Sequence, residues 1–232
     1  NRIAERIQPK MIIAGASAYS RIIDWKKFRD IADWVGAILL VDMAHYSGLI
    51  AGGEYPNPIK YADVVTSTTH KTLRGPRGGI IIWNNSDYTK KINGAIFPGT
   101  QGGPLMHVIA AKAQSFIEAN TPEFKEYCVK VKENANHMCD VFRENDIPIL
   151  TDGTDSHLIL IDLSNKKHSG KVIADKLEEN GITVNKNGIP NDPRSFIQTS
   201  GIRIGTAAET TRGHGKDWFR ELARKISMLI NE

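Results

Sequence analysis

Short apolar runs that alternate with helical stretches are the feature that most constrains how this chain can fold. Four such runs occur in the first half, at residues 11–15, 38–41, 62–69 and 79–83. Between the first two, Asp24 is placed to cap a helix that carries Trp25 on its buried face and ends near Val35. Apolar strands that are buried on both faces and separated by helices are typical of α/β proteins. The first half of the chain therefore predicts an α/β sheet that is parallel at least in part.

The pattern changes after residue 121. Beyond it, the spacing of apolar residues predicts a long amphipathic helix, a strand, a second helix, two further short segments and a final helix. Their predicted ranges are 123–145, 157–163, 171–180, 182–184, 202–204 and 218–230. We therefore divide the chain into two domains, a larger α/β domain at 1–121 and a small C-terminal α+β domain at 122–232.

Composition excludes several classes of function. Hydrophobic residues make up 41% of the 232 residues and charged residues 24%, with a net charge of +4, which is ordinary for a globular protein. Basic residues form scattered pairs such as Lys26-Lys27 and Lys90-Lys91, whereas nucleic-acid binding usually concentrates them on one face. No apolar run approaches the roughly 20 residues of a membrane-spanning helix. We therefore expect no nucleic-acid partner and no membrane segment.

The two cysteines and the start of the chain carry further expectations. Cys128 and Cys139 lie in a helical, charged stretch without the spacing of metal ligands. They are either free thiols of a reducing compartment or an incidental pair on one helix face, and we expect no metal site.

Residues 1–7 lack an initiator methionine and predict the end of an amphipathic helix, so we expect the sequence to be part of a longer chain.

Polar residues follow three of the predicted strands at the point where each strand ends. Ser17 follows the first strand, Asp42 and His45 the second, and His70 and Lys71 the third. In open α/β sheets, ligands bind beyond the carboxyl ends of the strands. The convergence of these side chains therefore predicts one ligand site.

Lys71 and Asp42 have the chemistry of an aldehyde-binding site. Most lysines are solvated surface charges, but a partly desolvated lysine loses its proton more easily and can form a Schiff base. Asp42 either caps the next helix or supplies an anion to a protonated pyridine ring. His45 is either a structural histidine or a contact to the same ligand. From the residues alone these alternatives stay open.

Three further segments also have two interpretations each. Residues 97–104 form a glycine-rich loop ahead of a helix, which is either a plain turn or a backbone cradle for a phosphate. Residues 72–79 either make a tight turn into a strand or bring two arginines to an anion. Arg203 lies among glycines and isoleucines, where it either grips a substrate carboxylate or takes part in a buried ion pair.

Taken together, several motifs closely resemble the serine hydroxymethyltransferase family from one end of the chain to the other. They are VDMAH at 41–45, TTHKTLRGPR at 68–77, GGPLMH at 102–107, NKN at 185–187, PNDP at 190–193 and SGIR at 200–203. The threonine-rich run into His70 and Lys71 is the most recognisable of them. The resemblance implies fold type I of the pyridoxal-phosphate-dependent transferases, similar to aspartate aminotransferase, with an incomplete large domain. It also implies the interconversion of serine and glycine, with tetrahydrofolate as the co-substrate that carries the one-carbon unit.

The resemblance further implies roles around the cofactor. Lys71 would hold pyridoxal 5'-phosphate covalently as an aldimine, Asp42 would pair with the ring nitrogen, and His70 would lie beside the aldimine. These three would be the catalytic residues. Further cofactor-binding residues would be Ser17, His45, Arg77 and Gly103, the last toward the cofactor of a neighbouring subunit.

Substrate-binding roles are implied for the second half of the chain. Arg203 would bind the carboxylate of the amino-acid substrate. Ser195, Phe196 and Ile197 would lie near the folate. No metal is implied.

The resemblance covers the C-terminal part of the family's length. The N-terminal part would carry several strands of the large domain, most of the phosphate site and much of the dimer surface. We therefore expect residues 1–232 alone to be inactive and to bind cofactor weakly. The expected assembly is a homodimer or tetramer in the cytoplasm, with an organellar location as the alternative.

Two other functions compete with this interpretation. Another fold type I enzyme, such as a threonine aldolase or an acyl-CoA-dependent synthase acting on glycine, would share a lysine, an aspartate and a carboxylate-binding arginine, but not this run of motifs. A non-catalytic binding module would be expected to have lost Lys71, Asp42 or Arg203, and all three are present.

Overall fold

The computed structural model describes residues 2–232 and divides the chain into two compact units. The first comprises the residues up to Ser17 together with Ile23–Lys125. The second comprises Ala18–Ile22 and Glu126–Glu232. The change after Lys125 lies close to the predicted boundary, but the assignment of residues 18–22 to the second unit was not expected. The domain roles inferred from the sequence stay a prediction.

The first unit contains a mixed sheet of strands β1 to β4. Their bounds are Met11–Gly15 for β1, Ile38–Asp42 for β2, Val64–Thr68 for β3 and Gly79–Trp83 for β4. Within the described residues the order is β1-β2-β3-β4, with parallel pairing from β1 to β3 and antiparallel pairing of β3 with β4. The α/β prediction and its partly parallel sheet are confirmed. The third strand is shorter than its β-branched run of 62–69.

Helices α1 to α5 accompany this sheet, and α2 follows the sequence prediction closely. The bounds are Arg2–Ile7 for α1, Trp25–Val35 for α2, Ser47–Ala51 for α3, Thr89–Gly94 for α4 and Met106–Ala119 for α5. Asp24 caps α2 by accepting a hydrogen bond from the Lys27 backbone N–H at 3.0 Å. Gly36 ends the helix at φ 66°, a conformation that glycine adopts without a steric penalty. The helix predicted at the start of the chain is present over residues 2–7, and residue 1 lies outside the described residues.

The expected burial of the first strand is wrong. Met11 is 43% exposed and Ile13 is 69% exposed, while Ala14 is buried. Met11 and Ile13 lie on one face of β1 and Ala14 on the other, so within residues 2–232 the face that carries Met11 and Ile13 is not covered. Its apolar sequence therefore predicted a strand correctly but not the strand's surroundings.

The second unit contains a small antiparallel sheet and most of the remaining helices. Strands β5, β6 and β7 span Leu158–Asp162, Asn185–Asn187 and Gly201–Gly205, in the order β5-β7-β6. Helices α6 to α9 span Pro122–Glu144, Gly170–Glu179, Ala207–Thr211 and Lys216–Asn231, with α6 beginning in the first unit. The short segment predicted at 182–184 lies immediately ahead of β6. Ile182 and Val184 pack against the core, and pairing with β7 begins only at Asn185.

The core of the second unit forms where α6 and α9 cover β5 and β7. Phe142 of α6, Ile161 of β5 and Ile226 of α9 are all completely buried in it. Cys139 lies in the same cluster, and burial raises the pKa of its thiol to about 12. Both cysteines are free, which agrees with the first of the two alternatives.

Residues 2–232 contain no group of three or more His, Cys, Asp or Glu placed to hold a metal ion. Across the same residues, none of the helices is both long enough and apolar enough to cross a membrane.

Candidate functional site

The carboxyl ends of β1, β2 and β3 lie side by side at one edge of the first sheet. Parallel pairing aligns Gly15 with Asp42, and Asp42 with Thr66. A cavity of about 360 Å³ lies at this edge. Its lining comes from the three segments at and beyond these strand ends: Ile13, Ala14, Gly15, Ala16, Ser17, Asp42, Ala44, His45 and Lys71. The structure thus brings four of the predicted site residues to one cavity.

A glycine permits the ends of β1 and β2 to approach each other. Gly15 has φ 146°, and a Cβ atom at this position would overlap the backbone carbonyl oxygen of Asp42. A larger residue would push the two strand ends apart and displace the Asp42 carboxylate. Gly15 was not among the predicted site residues, although a glycine at the end of an apolar run was a visible signal.

Asp42 presents its carboxylate at the cavity wall. It is the last residue of β2, and its Oδ1 accepts a hydrogen bond from the Ala44 backbone N–H at 3.0 Å. The next helix, α3, begins at Ser47 and has Tyr46 as its N-cap, so Asp42 does not cap it. The local hydrogen bond engages one carboxylate oxygen and holds the side chain in a short turn.

Lys71 reaches the cavity from the segment after β3. Its side chain is partly buried and, among residues 2–232, no hydrogen bond or ion pair engages its ammonium group. The Lys71 carbonyl accepts a hydrogen bond from the Arg74 N–H at 2.9 Å, in a turn where Arg74 has φ 62°. A lysine amine presented at a cavity wall can react with an aldehyde once it is deprotonated.

The hydroxyl of Thr72 joins the lysine turn to the loop that carries His45. Thr72 is 1% exposed, and its Oγ1 donates to the His45 carbonyl at 2.9 Å and accepts from the Gly48 N–H at 3.0 Å. A Cβ atom at Gly48 would overlap the Thr72 backbone carbonyl, so the two segments are in close contact. Thr72 therefore positions both Lys71 and His45. Sequence reasoning missed this residue, whose signal was a polar side chain next to the lysine.

A second threonine shapes the turn around His70. Thr69 is fully buried, its hydroxyl donates to the Pro76 carbonyl at 2.5 Å, and its carbonyl accepts from the Gly75 N–H at 2.7 Å. The Nδ1 of His70 accepts a hydrogen bond from the Gly78 N–H at 3.5 Å. His70 lies next to Lys71 in the chain but is not among the residues that line the cavity. Its place beside a cofactor stays a prediction.

Arg77 and Gly103 also lie outside the cavity lining. Arg77 is exposed in the loop that joins β3 to β4, and an anion contact by this loop stays a prediction. Gly103 is exposed in the loop before α5, with open space where a Cβ atom would lie. Packing within the described chain therefore does not require a glycine there.

Arg203 occupies the middle of β7 in the second unit. Its neighbours Ile202 and Ile204 are buried in the core, and its guanidinium donates from Nη2 to Asn185 Oδ1 at 2.8 Å across the β6–β7 pair. Burial lowers the pKa of Arg203 from its ordinary value. Partial burial strengthens the interaction of a guanidinium with a carboxylate. Arg203 is therefore suited to bind an anionic ligand, and that role stays a prediction.

Asp192 organises the loop that precedes β7. Its Oδ2 accepts hydrogen bonds from the N–H groups of Ile189 at 3.2 Å and Ser200 at 2.9 Å, and its Oδ1 accepts from the Arg194 N–H at 2.9 Å. Desolvation acts to raise the pKa of Asp192, but the hydrogen bonds from Ser200, Arg194 and Ile189 outweigh it and lower the pKa to about 2.

The loop ordered by Asp192 presents the three predicted folate contacts at the surface. Phe196 is 90% exposed and Ile197 is 67% exposed, and Ser195 is exposed as well. Lys186 Nζ donates to the Ile197 carbonyl at 2.6 Å, which fixes the backbone of this segment. An exposed aromatic ring on a loop that hydrogen bonds hold in place is available for stacking with a planar ligand.

Comparison with known proteins identifies the relatives of this chain. The family model described as serine hydroxymethyltransferase matches residues 1–226. Proteins named serine hydroxymethyltransferase from Wolbachia pipientis wMel and Hydrogenovibrio crunogenus are each 57% identical, over 229 and 231 residues. Each alignment covers 99% of this chain, and 54% and 55% of the respective relative. The chain thus spans about half the length of these relatives. Their names do not favour a threonine aldolase or a non-catalytic module.

Replacement of Thr72 by valine tests its positioning role. The Thr72→Val variant keeps the side-chain shape but removes the hydroxyl that bonds to the buried Gly48 N–H and to the His45 carbonyl, so we expect a loss of about 1–3 kcal/mol in unfolding free energy. Thr72→Ser keeps the hydroxyl and is the matched control. Urea denaturation of both variants measures the difference, and equal stabilities would contradict the role assigned to the hydroxyl.

Replacement of Asp192 by asparagine tests the charge at the loop. Because the folded-state pKa of Asp192 is depressed to about 2 from 3.8, its charged form stabilises the fold above pH 3.8, and this contribution is lost as pH falls toward 2. We therefore expect Asp192→Asn to be less stable than wild type near neutral pH. The difference in melting temperature between the two proteins should disappear between pH 4 and pH 2. Thermal unfolding across this range measures it, with the exposed Asp175→Asn as control. A difference in melting temperature that stays constant down to pH 2 would refute the stabilising role of the Asp192 charge.

Proposed function

The chain belongs to the serine hydroxymethyltransferase family, and on that premise we propose that it forms part of an enzyme that interconverts serine and glycine. Its cofactor would be pyridoxal 5'-phosphate, its co-substrate tetrahydrofolate, and its fold type I of the pyridoxal-phosphate-dependent transferases. The observation that carries the proposal is the cavity that Asp42, His45 and Lys71 share at the carboxyl ends of parallel strands. This is where open α/β sheets bind ligands.

The residues around the cavity fit this cofactor. An amine without a partner among the described residues is available at Lys71, and an exposed carboxylate lies at Asp42 on the same cavity. An imidazole at His45 and a hydroxyl at Ser17 complete the polar lining. The set matches the needs of a planar aldehyde that carries a ring nitrogen and a phenolic oxygen.

Each of these residues has a defined task. The Lys71 amine would hold the cofactor aldehyde covalently at the wall of the cavity. Asp42 keeps the ring nitrogen protonated, because an adjacent anion favours the charged form of that nitrogen. His45 contacts the ring. The hydroxyl of Thr72 fixes the position of His45 relative to Lys71. The bound cofactor supplies an electron sink for the bond cleaved at the substrate α-carbon.

The remaining site residues complete the proposal. Arg203 binds the carboxylate of serine or glycine as a partly desolvated guanidinium. The exposed segment at Ser195, Phe196 and Ile197 contacts the folate. His70 and Arg77 support the lysine turn, and Gly103 offers an accessible backbone to the cofactor phosphate of a neighbouring subunit. We further propose a homodimer or tetramer located in the cytoplasm.

Cofactor trapping tests the proposal directly. We expect incubation of the full-length protein with pyridoxal phosphate, followed by borohydride reduction and peptide mass spectrometry, to place the label on Lys71. Lys71→Ala should lose this label, whereas Lys90→Ala, which removes an exposed lysine, should keep it. Label spread over surface lysines in the wild-type protein would overturn the proposed function.

Replacement of Asp42 by asparagine tests its role, and Asp162, which has the same local hydrogen bond, serves as the control. Asp42→Asn removes the charge opposite the ring nitrogen, so we expect the rate of glycine formation from serine to fall by about a hundredfold or more. Asp162 ends β5 and accepts a hydrogen bond from the Ser164 N–H at 2.8 Å, just as Asp42 accepts one from Ala44. Asp162→Asn should therefore leave the rate near that of wild type. Equal rates for the two variants would contradict the role of Asp42.

A further inference from the structure

Residues 195–199, which we call the apex turn, lie in the loop of the second unit that joins β6 to β7. The Ser195 carbonyl accepts hydrogen bonds from the N–H groups of Gln198 at 3.0 Å and Thr199 at 2.8 Å, which closes the turn. Thr199 has φ 56°, a conformation that a β-branched residue keeps only where its surroundings hold it. The position of the exposed Phe196 ring therefore depends on what fixes the two ends of the apex turn.

The C-terminal end of the apex turn is fixed by the start of α7. The Gln198 carbonyl accepts a hydrogen bond from the Lys171 N–H at 2.8 Å, and the Thr199 carbonyl accepts one from the Gly170 N–H at 2.9 Å. Ser169, the N-cap of α7, donates from its hydroxyl to Gln198 Oε1 at 2.8 Å. The first N–H groups of a helix have no acceptor within the helix, so these bonds also satisfy the start of α7.

The N-terminal end of the apex turn is fixed by Arg194, the residue before it. Arg194 Nη1 donates to the Leu163 carbonyl at 2.8 Å and to the Ser200 hydroxyl at 3.2 Å, and Nη2 donates to the Lys166 carbonyl at 2.7 Å. The Leu163 carbonyl also accepts from the Lys166 N–H at 3.0 Å, so the two carbonyls belong to one turn directly after β5. The planar guanidinium engages all three acceptors at once, which defines its position.

The guanidinium of Arg194 bonds to the protein itself through both of its terminal nitrogens. The acceptors of these bonds are uncharged oxygens, and the side chain is partly buried. Hydrogen bonds from a charged donor are stronger than those between neutral groups, so the contacts hold the loop firmly against the end of β5. Arg194 therefore acts on a ligand of the apex turn through the backbone that continues into Ser195, and not by touching the ligand.

We propose that Arg194 is a positioning residue for the folate co-substrate. By fixing the start of the apex turn to the end of β5, it sets the place of the exposed Phe196 ring, on which the planar ring system of the folate stacks. Arg203 is held separately, because its strand β7 pairs along its length with β5. The loss of Arg194 therefore weakens the folate contact and leaves the substrate carboxylate site in place. This inference rests on the proposed function, because it takes folate as the ligand of the apex turn.

Steady-state kinetics of the full-length protein test this separation. Arg194→Met keeps the apolar stem of the side chain and removes its N–H donors. We expect the KM for tetrahydrofolate to rise about tenfold, while kcat and the KM for serine change by less than about twofold, because only a binding contact is lost. Arg224→Met is the matched control, since Arg224 is exposed on α9 and pairs with Glu221 at 3.0 Å. It should leave all three constants unchanged. An unchanged KM for tetrahydrofolate in Arg194→Met, or an equal rise in the KM for serine, overturns the inference.

A double-mutant cycle tests whether Arg194 acts through the Phe196 ring. In the Phe196→Ala background, Arg194→Met should raise the KM for tetrahydrofolate by less than about twofold, since residues coupled through one contact are not additive. An equal rise in the wild-type and Phe196→Ala backgrounds contradicts the positioning role, because Arg194 would then act on folate independently of the ring.

Hydrogen–deuterium exchange supplies a readout that requires neither cofactor nor folate. Arg194→Met should accelerate exchange of the amides in the apex turn, whereas Arg224→Met should not. Unchanged exchange there in Arg194→Met overturns the inference whatever the kinetics show. If the wild-type protein forms no glycine from serine and tetrahydrofolate while Arg194→Met still loosens the apex turn, the proposed function and the folate role of Arg194 both fail. Should Arg194→Met not fold, Arg194→Lys keeps the charge without the planar fork and should raise the KM for tetrahydrofolate about threefold.

Discussion

The parallel pairing of β1, β2 and β3 is the constraint on which the site depends. Parallel strands direct their carboxyl ends to one edge of the sheet, so residues far apart in sequence, such as Ser17 and Lys71, line one cavity. The approach of the first two strands requires Gly15, because a Cβ atom would overlap the carbonyl of Asp42. The position of Asp42 in the cavity therefore depends on the absence of a side chain at Gly15.

Side-chain hydrogen bonds fix the loops that follow the strands, since the sheet by itself does not determine their conformation. Thr72 joins the lysine turn to the His45 loop, and Thr69 closes the turn that follows β3. In the second unit, Asp192 accepts hydrogen bonds from three backbone N–H groups, and Arg21 donates to the carbonyls of Thr151 and Asp152. The bonds of Thr72, Thr69 and Asp192 satisfy buried or partly buried backbone groups, which would otherwise destabilise these irregular segments.

Several features were predictable from sequence because they depend on local patterns. The bounds of β1 and β4, the Asp24 cap and the long helix α6 agree with the spacing of apolar and capping residues. The short segment predicted at 182–184 directly precedes β6: its apolar residues pack against the core, while the polar residues after it make the pairing with β7. Apolar periodicity reports burial and does not by itself report which backbone groups pair. The grouping of Ser17, Asp42, His45 and Lys71 followed from the rule for strand ends. Thr72 and Arg21 were missed, since neither has a pattern that reveals its partner.

The sequence by itself determined the α/β class, the candidate lysine and aspartate, and the family resemblance, because these depend on residue types at short spacing. Only the tertiary structure decided that β1 lies at an edge of the described sheet, since exposure depends on neighbours that a strand's own sequence does not specify. It also decided that residues 18–22 belong to the second unit and that Arg21 meets a turn 130 residues away. Contacts over such distances in sequence arise from the closing of loops, and no local periodicity records them.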